Sequence, residues 1–339
     1  TAMTEIQRRM RKIRRTPLRK GLIVPSSSNL LLVVIVIVEV LTRFQLQSTS
    51  MSTSTSFITM VDAFSAIAPN DKVLVFGGTG GVGQLTIGKL LNHPTNNYQV
   101  RTVSRRGQDG IDDTIFGSGG GSNKNNLEVV ELDLLQEDTT ALENAMKDVD
   151  AIVISVGTTA FPTMKWKGGN TPKAIDQDAI ERIAHVATKL NSTTSKPKLK
   201  KIVLVTSVGV ERKDQMPFVI LNLFGVIDAK RAGEKAIMKA STSTDGNRNV
   251  FDYVIIRPGR LIGGPYTNED LAKLFQIDGG SGTFIEQGDT LLGDCNRDGC
   301  ADAVVNALMN DNCNDVAFSV ISNEEQPWTP AEWTSAFNK

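Results

Sequence analysis

"KVLVFGGTGGVGQLTIGKLL", Lys72 to Leu91, sets a glycine cluster between two patterned flanks. Val73, Leu74, Val75 and Phe76 form a short continuous apolar run, the pattern of a strand buried on both faces. After the cluster, Val82, Leu85, Ile87, Leu90 and Leu91 recur at helical spacing. Strand, glycine turn and helix in direct succession form the setting that a phosphate-binding turn requires. Gly77, Gly80 and Gly83 stand three residues apart. The first permits a tight turn, the second lets backbone approach a pyrophosphate, and the third lets helix and strand pack closely. Free N–H groups at the helix start then face the anion. The expected contacts on this turn are Gly77, Thr79, Gly80, Gly81, Val82 and Gly83. A glycine-rich hairpin or linker would not carry both flanks, so the stretch reads as a dinucleotide turn.

The pattern continues downstream. Strands are expected at Tyr98 to Arg105, Leu127 to Asp133, Asp150 to Gly157, Lys201 to Gly209 and Asp252 to Gly259. Helices fall between them at Thr139 to Lys147, Lys173 to Leu190 and Ile227 to Ala240. Near-continuous apolar strands alternating with helices give an α/β fold, a doubly wound parallel sheet of the Rossmann type. Its ligand belongs at the carboxyl ends of the strands. A helix near Asp298 to Met309 and a strand near Val316 to Ile321 follow in a less regular tail. The expected organisation is a leader over 1–63, a Rossmann domain over 64–260, and a small C-terminal substrate lobe over 261–339, packed on the same domain.

Lysine plus arginine equal aspartate plus glutamate at 37 each, so net charge gives no argument for a nucleic-acid partner. Arg8, Arg9, Arg11, Lys12, Arg14, Arg15, Arg19 and Lys20 nevertheless crowd the start. "LLLVVIVIVEVL", Leu30 to Leu41, then has the length of a signal-peptide apolar region and is interrupted by Glu39. That is short for a membrane span, and none is expected in the mature protein. No acidic residue occurs from Val40 to Val61, as in transit peptides. Val61-Asp62-Ala63 would serve as a cleavage site, leaving Phe64 first. This arrangement resembles the bipartite plastid leaders of algae with secondary red plastids, which implies the plastid stroma. A mitochondrial leader and a membrane anchor stay open as alternatives. Cys295, Cys300 and Cys313 form no even framework and suit a reducing compartment. "DCNRDG", Asp294 to Gly299, starts like a calcium loop, but Val305 stands where the bidentate glutamate belongs. No metal site is expected.

The second strand ends in Ser104, Arg105 and Arg106, with no carboxylate to hold a ribose 2′-hydroxyl. Guanidinium groups suit a 2′-phosphate, so the expected cofactor is NADP(H). Asp133 and Leu134, ending the third strand, would sit beside the adenine. Ser155, Val156 and Gly157 would pass under the ribose.

The motifs "GGTGGVG", "SRR" at the second-strand tip, "LD" at 132–133, "VTSVGV" at 205–210, "GVIDAKRAGEKAI" and "IIRPGRLIGGPYT" resemble the atypical short-chain dehydrogenase/reductase family of the NAD(P)-binding Rossmann superfamily. Together with "QGDTLLG", Gln287 to Gly293, they look most like plastid NAD(P)-binding proteins of plants and algae. The resemblance covers roughly Lys72 to Ser322. It implies Lys230 near the nicotinamide ribose and Arg257, Pro258 and Gly259 beside the nicotinamide.

Reductases and epimerases of that family use a Tyr-x-x-x-Lys pair plus a serine, the tyrosine passing a proton as hydride moves. Here Val226 stands four residues before Lys230. Tyr98, Tyr253 and Tyr266 are followed at that spacing by Thr102, Arg257 and Asp270. Ser207, or its neighbour Thr206, still ends the fifth strand, so the catalytic candidates are Ser207 and Lys230. Tyr266 in "GGPYT" is a candidate proton donor from another direction, against the alternative that a loop tyrosine serves packing. The sequence thus supports two readings: an NADPH-dependent oxidoreductase of a plastid metabolite, or a non-catalytic NADP(H)-binding redox sensor or scaffold. Substrate, protein partner and oligomeric state are not encoded legibly.

Overall fold

The structure, a computed structural model, describes residues 66–111, 125–136, 138–192, 198–242, 250–263, 282–323 and 328–338. The leader, Tyr266 and most of "GSGGGSNKNN" lie outside them.

The first apolar run is β1 (Lys72–Phe76) and its helical neighbour is α1 (Gly81–Leu91). There follow β2 (Gln99–Ser104), β3 (Leu127–Glu131), α2 (Thr139–Met146), β4 (Ala151–Ile154) and the short α3 (Met164–Lys167). A π turn (Lys173–Asp178) leads into α4 (Ala179–Ser192). Next come β5 (Lys201–Val205), the short α5 (Phe218–Leu221), α6 (Val226–Ser241), β6 (Asp252–Pro258) and β7 (Arg260–Ile262). The described chain closes with β8 (Gly282–Gln287), β9 (Asp294–Asn296), α7 (Arg297–Met309), β10 (Val316–Asn323) and α8 (Pro330–Phe337).

One sheet has the order β3-β2-β1-β4-β5-β6-β10-β8. All its pairings are parallel except β10 with β8. The central strands alternate the face they fill. Val73 and Val75 of β1 pack with α1, α7 and α8, whereas Leu74 and Phe76 pack with α2, α4 and α6. Burial on both faces explains why β1 reads as a continuous apolar run rather than an alternating one. The order reverses between β1 and β4, and a ligand crevice opens above such a reversal.

The sheet continues past residue 260. β10 pairs with β6 from Val316↔Val254 to Val320↔Pro258, and β8 forms the edge beyond it. Phe318 and Val320 fill the same core layer as Val73, under a helix, α7, that lies against α1. An apolar strand with a covering helix is more stable added to an open parallel edge than standing as a lobe. "DCNRDG" is the strand-to-helix turn into α7: the Asn296 side chain accepts from the Asp298 N–H at 3.0 Å. All three cysteines are buried free thiols. Cys295 hydrogen-bonds Cys300, which together with burial pushes its thiol up, and burial pushes Cys313 to about 12.

Lys201 starts β5 with no exposed surface and donates to Ala307 O at 3.1 Å and Asn310 O at 2.8 Å, at the end of α7. Burial lowers its pKa. These bonds satisfy carbonyls that a helix end leaves open. Lys201→Met is expected to cost about 1–3 kcal/mol, read from the midpoint of urea unfolding, because both acceptors stay buried without their donor.

Candidate functional site

Gly77 leaves β1 at φ +87°, and a Cβ there would lie 2.8 Å from the Ser155 carbonyl carbon. A Cβ on Gly83 would stand 2.2 Å from Gly77 O, so α1 rests directly on the turn. Gly80 differs: its Cβ would meet only Gly77 O, at 3.2 Å. Two glycines are therefore consumed by protein packing, and Gly80 keeps open the space in front of the first turn of α1.

A cavity of about 260 Å³ opens above this turn. Gly77, Thr79 and Gly80 line it from the glycine turn, and Ser104 and Arg105 from the end of β2. Asp133 and Leu134 line it beyond β3; Ser155, Val156 and Gly157 do so beyond β4. Arg106 borders an adjoining hollow of about 280 Å³, together with Thr79, Ser104 and Arg105. The Ser104 hydroxyl accepts from the Arg106 N–H at 3.2 Å, and the Asp133 carboxylate accepts from the Leu135 N–H at 3.0 Å. Gly81, Val82 and Gly83 stand behind as the first turn of α1, with Val82 in the core.

The remaining candidates are outside the cavity lining. Ser207 follows β5 by two residues, half-buried. Lys230 of α6 donates to Asp176 Oδ1 at 2.6 Å. Asp176 also accepts from the Thr158 N–H at 3.1 Å and from the Thr158 hydroxyl. A Cβ on Gly157 would lie 2.9 Å from Lys230 Nζ and 3.3 Å from Asp176 Oδ1, so this ion pair sits directly behind the cavity wall.

Arg257, expected beside the nicotinamide, is 1% exposed and turned into the protein. Its Nε donates to Glu234 Oε1 at 3.0 Å, and its Nη2 to Glu234 Oε2 at 2.9 Å and Glu211 Oε1 at 3.0 Å. Burial alone would lower its pKa; the carboxylates of Glu234 and Glu211 outweigh burial and raise it. Glu234 further accepts from Thr206 Oγ1 at 2.7 Å and Arg231 Nη1 at 2.7 Å. A buried guanidinium requires such partners, and they fix its direction. Pro258 O accepts from the Val208 N–H at 3.0 Å, and the Gly259 N–H donates to Val320 O at 2.8 Å, so both tie strand ends together.

The sequence pattern missed the stretch beyond β4. Thr158, Thr159, Thr163, Lys165, Trp166, Asn170 and Ile175 line the cavity, joined by Val103 and Leu132. The signal was present: a long segment after a central strand, holding Trp166 between Lys165 and Lys167, at the strand end where a ligand is expected. Groups of three or more metal-ligating side chains are absent among the described residues. No helix of the described residues is long and apolar enough to cross a membrane.

Residues 77–311 match the family model described as NAD(P)H-binding, which is more than half of the chain. The chain belongs to this NAD(P)H-binding family. It is 27% identical over 229 residues to "Protein TIC 62, chloroplastic" of Pisum sativum, covering 60% of this chain and 39% of the pea protein. To "Protein TIC 62, chloroplastic" of Arabidopsis thaliana it is 30% identical over 197 residues, covering 56% of this chain and 27% of that protein. The chain thus spans less than two-fifths of the length of these relatives. Among solved structures, the oxidoreductase ylbE from Lactococcus lactis superposes with a TM-score of 0.53 at 18% identity, covering 78% of this chain and 95% of that one. That likeness shows the fold. The cavity fits an NAD(P) group: room over Gly80, a helix start for the pyrophosphate, and a second-strand tip for the adenosine ribose.

Proposed function

We propose that this protein binds NADP(H) in the cavity above Gly80 and acts as an atypical short-chain reductase on a plastid metabolite. The observation that carries the cofactor choice is the tip of β2, where Arg105 and Arg106 border the cleft with Ser104 and Thr79. The glycine turn holds the pyrophosphate; the two guanidinium groups hold the 2′-phosphate; Asp133 and Leu134 flank the adenine. When bound, the nicotinamide supplies a hydride. Ser207, two residues beyond β5, orients the carbonyl that receives it, and Lys230 stands behind Gly157 on the side of the ribose. The proton that completes the alcohol comes from a donor other than the family's tyrosine, whose place Val226 takes. The chloroplastic relatives and the plastid-like leader support the plastid, with the stroma of an alga with a secondary plastid as the specific compartment.

A second reading is favoured by a specific observation. Lys230 is held by Asp176 at 2.6 Å, and Val226 stands where the family keeps its tyrosine. On that reading the protein senses NADP(H) redox state without turnover. The two separate on one measurement: NADPH-dependent reduction of carbonyl substrates that disappears in Lys230→Ala or Ser207→Ala would sink the sensor.

Calorimetric titration of the full chain with NADPH and NADH tests the cofactor choice. The Arg105→Ala/Arg106→Ala chain is expected to lose about 10–100-fold in NADPH affinity, with NADH binding unchanged, because charge-assisted bonds to the phosphate are removed. Equal affinity of the native chain for both nucleotides would overturn the arginine assignment.

A further inference from the structure

Next to the cavity, two segments display apolar side chains beside cations. Phe161 and Trp166, from the stretch around α3, each meet Phe224 edge to face, at ring-centroid distances of 6.1 and 6.2 Å. Phe224 remains 49% exposed, Leu223 66% and Met164 76%. This display is held rigidly. Asn222, just before Leu223, accepts from the Ile227 N–H at 2.9 Å and the Asp228 N–H at 3.1 Å. Gly225 then turns the chain into α6 at φ +76°. Upstream, Asp289 accepts from the Gly209 N–H and the Glu211 N–H, both at 2.8 Å, and Arg212 lies over the Phe218 ring at 4.9 Å. The chain therefore presents Leu223 and Phe224 outward on a braced turn rather than burying them.

Two observations join this surface to the cavity and say what would cover it. Trp166 and Lys165 line the cavity itself, so the aromatic wall is continuous with it. Lys165 and Lys167 are exposed on either side of Trp166, giving the apolar wall a cationic rim. A ligand that meets an aromatic wall rimmed by lysines is an apolar body carrying an anionic group.

We propose that Phe161, Trp166 and Phe224, with Lys165, form the substrate subsite of the cavity, and that its substrate class is an amphipathic anion. The proposal rests on the reading of the protein as an NADP(H)-binding reductase and names what that reductase would take.

Fluorescence titration of the full chain, saturated with non-fluorescent NADP⁺, tests it with two dyes of one shape. These are 1-anilinonaphthalene-8-sulfonate, an aromatic anion, and its neutral counterpart N-phenyl-1-naphthylamine. Phe224→Ser is expected to weaken the sulfonate dye about tenfold through lost apolar contact. Lys165→Glu is expected to weaken the sulfonate dye about fivefold and to leave the neutral dye unchanged. Both positions are surface-exposed, so both variants fold. Sulfonate affinity within twofold of native in Phe224→Ser, or equal sensitivity of both dyes to Lys165→Glu, would overturn the subsite. So would displacement of the dye by NADP⁺, which places it in the cofactor cavity. Calorimetry on the same samples keeps the underlying reading separate. Absent NADP⁺ binding with both variant effects retained would sink the cofactor reading and leave the subsite standing.

Discussion

Glu234→Ala is expected to lower stability by about 3–5 kcal/mol, the cost of stranding a buried charge. In a chain of this size that corresponds to a fall in Tm of roughly 4–7 °C. Arg257 and Glu234 are both essentially without exposed surface, and the bidentate contact at 3.0 and 2.9 Å carries most of the guanidinium's compensation. Glu211, 41% exposed at its side chain, is a third contact and cannot replace two oxygens in the interior. Removing Glu234 also leaves the Thr206 hydroxyl without its acceptor at the end of β5. The companion variant separates the charge from the shape. Arg257→Met in the Glu234→Ala background removes the stranded cation and is expected to recover more than half of the loss, as replaced buried pairs commonly do. Thermal unfolding of both chains decides it: a single variant with native Tm would mean that water reaches the Arg257 site.

What could be read from the chain, and what could not, divides by how local the determining contacts are. The β1 turn and α1 were legible because Val73 to Phe76, the three glycines and the helical repeat from Val82 are neighbours in sequence. The tip Ser104-Arg105-Arg106 and the residues at 133–134 and 155–157 followed from it, since parallel strands bring their carboxyl ends to one edge. β10 was recognised as a strand but not as the neighbour of β6, because its pairing with Val254 to Pro258 joins segments far apart in the chain. The carboxylate partners of Arg257 were illegible for the same reason. Its partner Glu234 sits on α6, where the sequence offers only an ordinary charged helix face. Asp176 was invisible because the helix was taken as regular from Lys173. A π turn occupies Lys173–Asp178 instead, and within it Asp176 is buried against Thr158 and Lys230. Such turns recur at functional sites and carry no single-residue signature.

Gly83→Ala is expected to weaken cofactor binding and destabilise the fold together, whereas Gly80→Ala weakens binding alone. The added Cβ at 83 would stand 2.2 Å from Gly77 O and 2.7 Å from its carbonyl carbon, both backbone atoms that cannot rotate away. Either α1 lifts from the turn or β1 shifts, and each route disturbs the layer holding Val82, Ile87 and Leu90. An overlap of that size costs about 3 kcal/mol or more. At Gly80 the nearest protein atom is 3.2 Å away, a contact that yields by a few tenths of an ångström. The methyl there would instead occupy the space through which backbone approaches the pyrophosphate. NADPH affinity should therefore fall by at least about tenfold with Tm unchanged, since a single lost close approach to the phosphate removes roughly a charge-assisted hydrogen bond. Calorimetry and thermal unfolding run on both variants place each on two axes. If Gly80→Ala bound NADPH as the native chain does, the pyrophosphate would lie elsewhere than against this turn, and the assignment of Arg105 and Arg106 to the 2′-phosphate would fall with it.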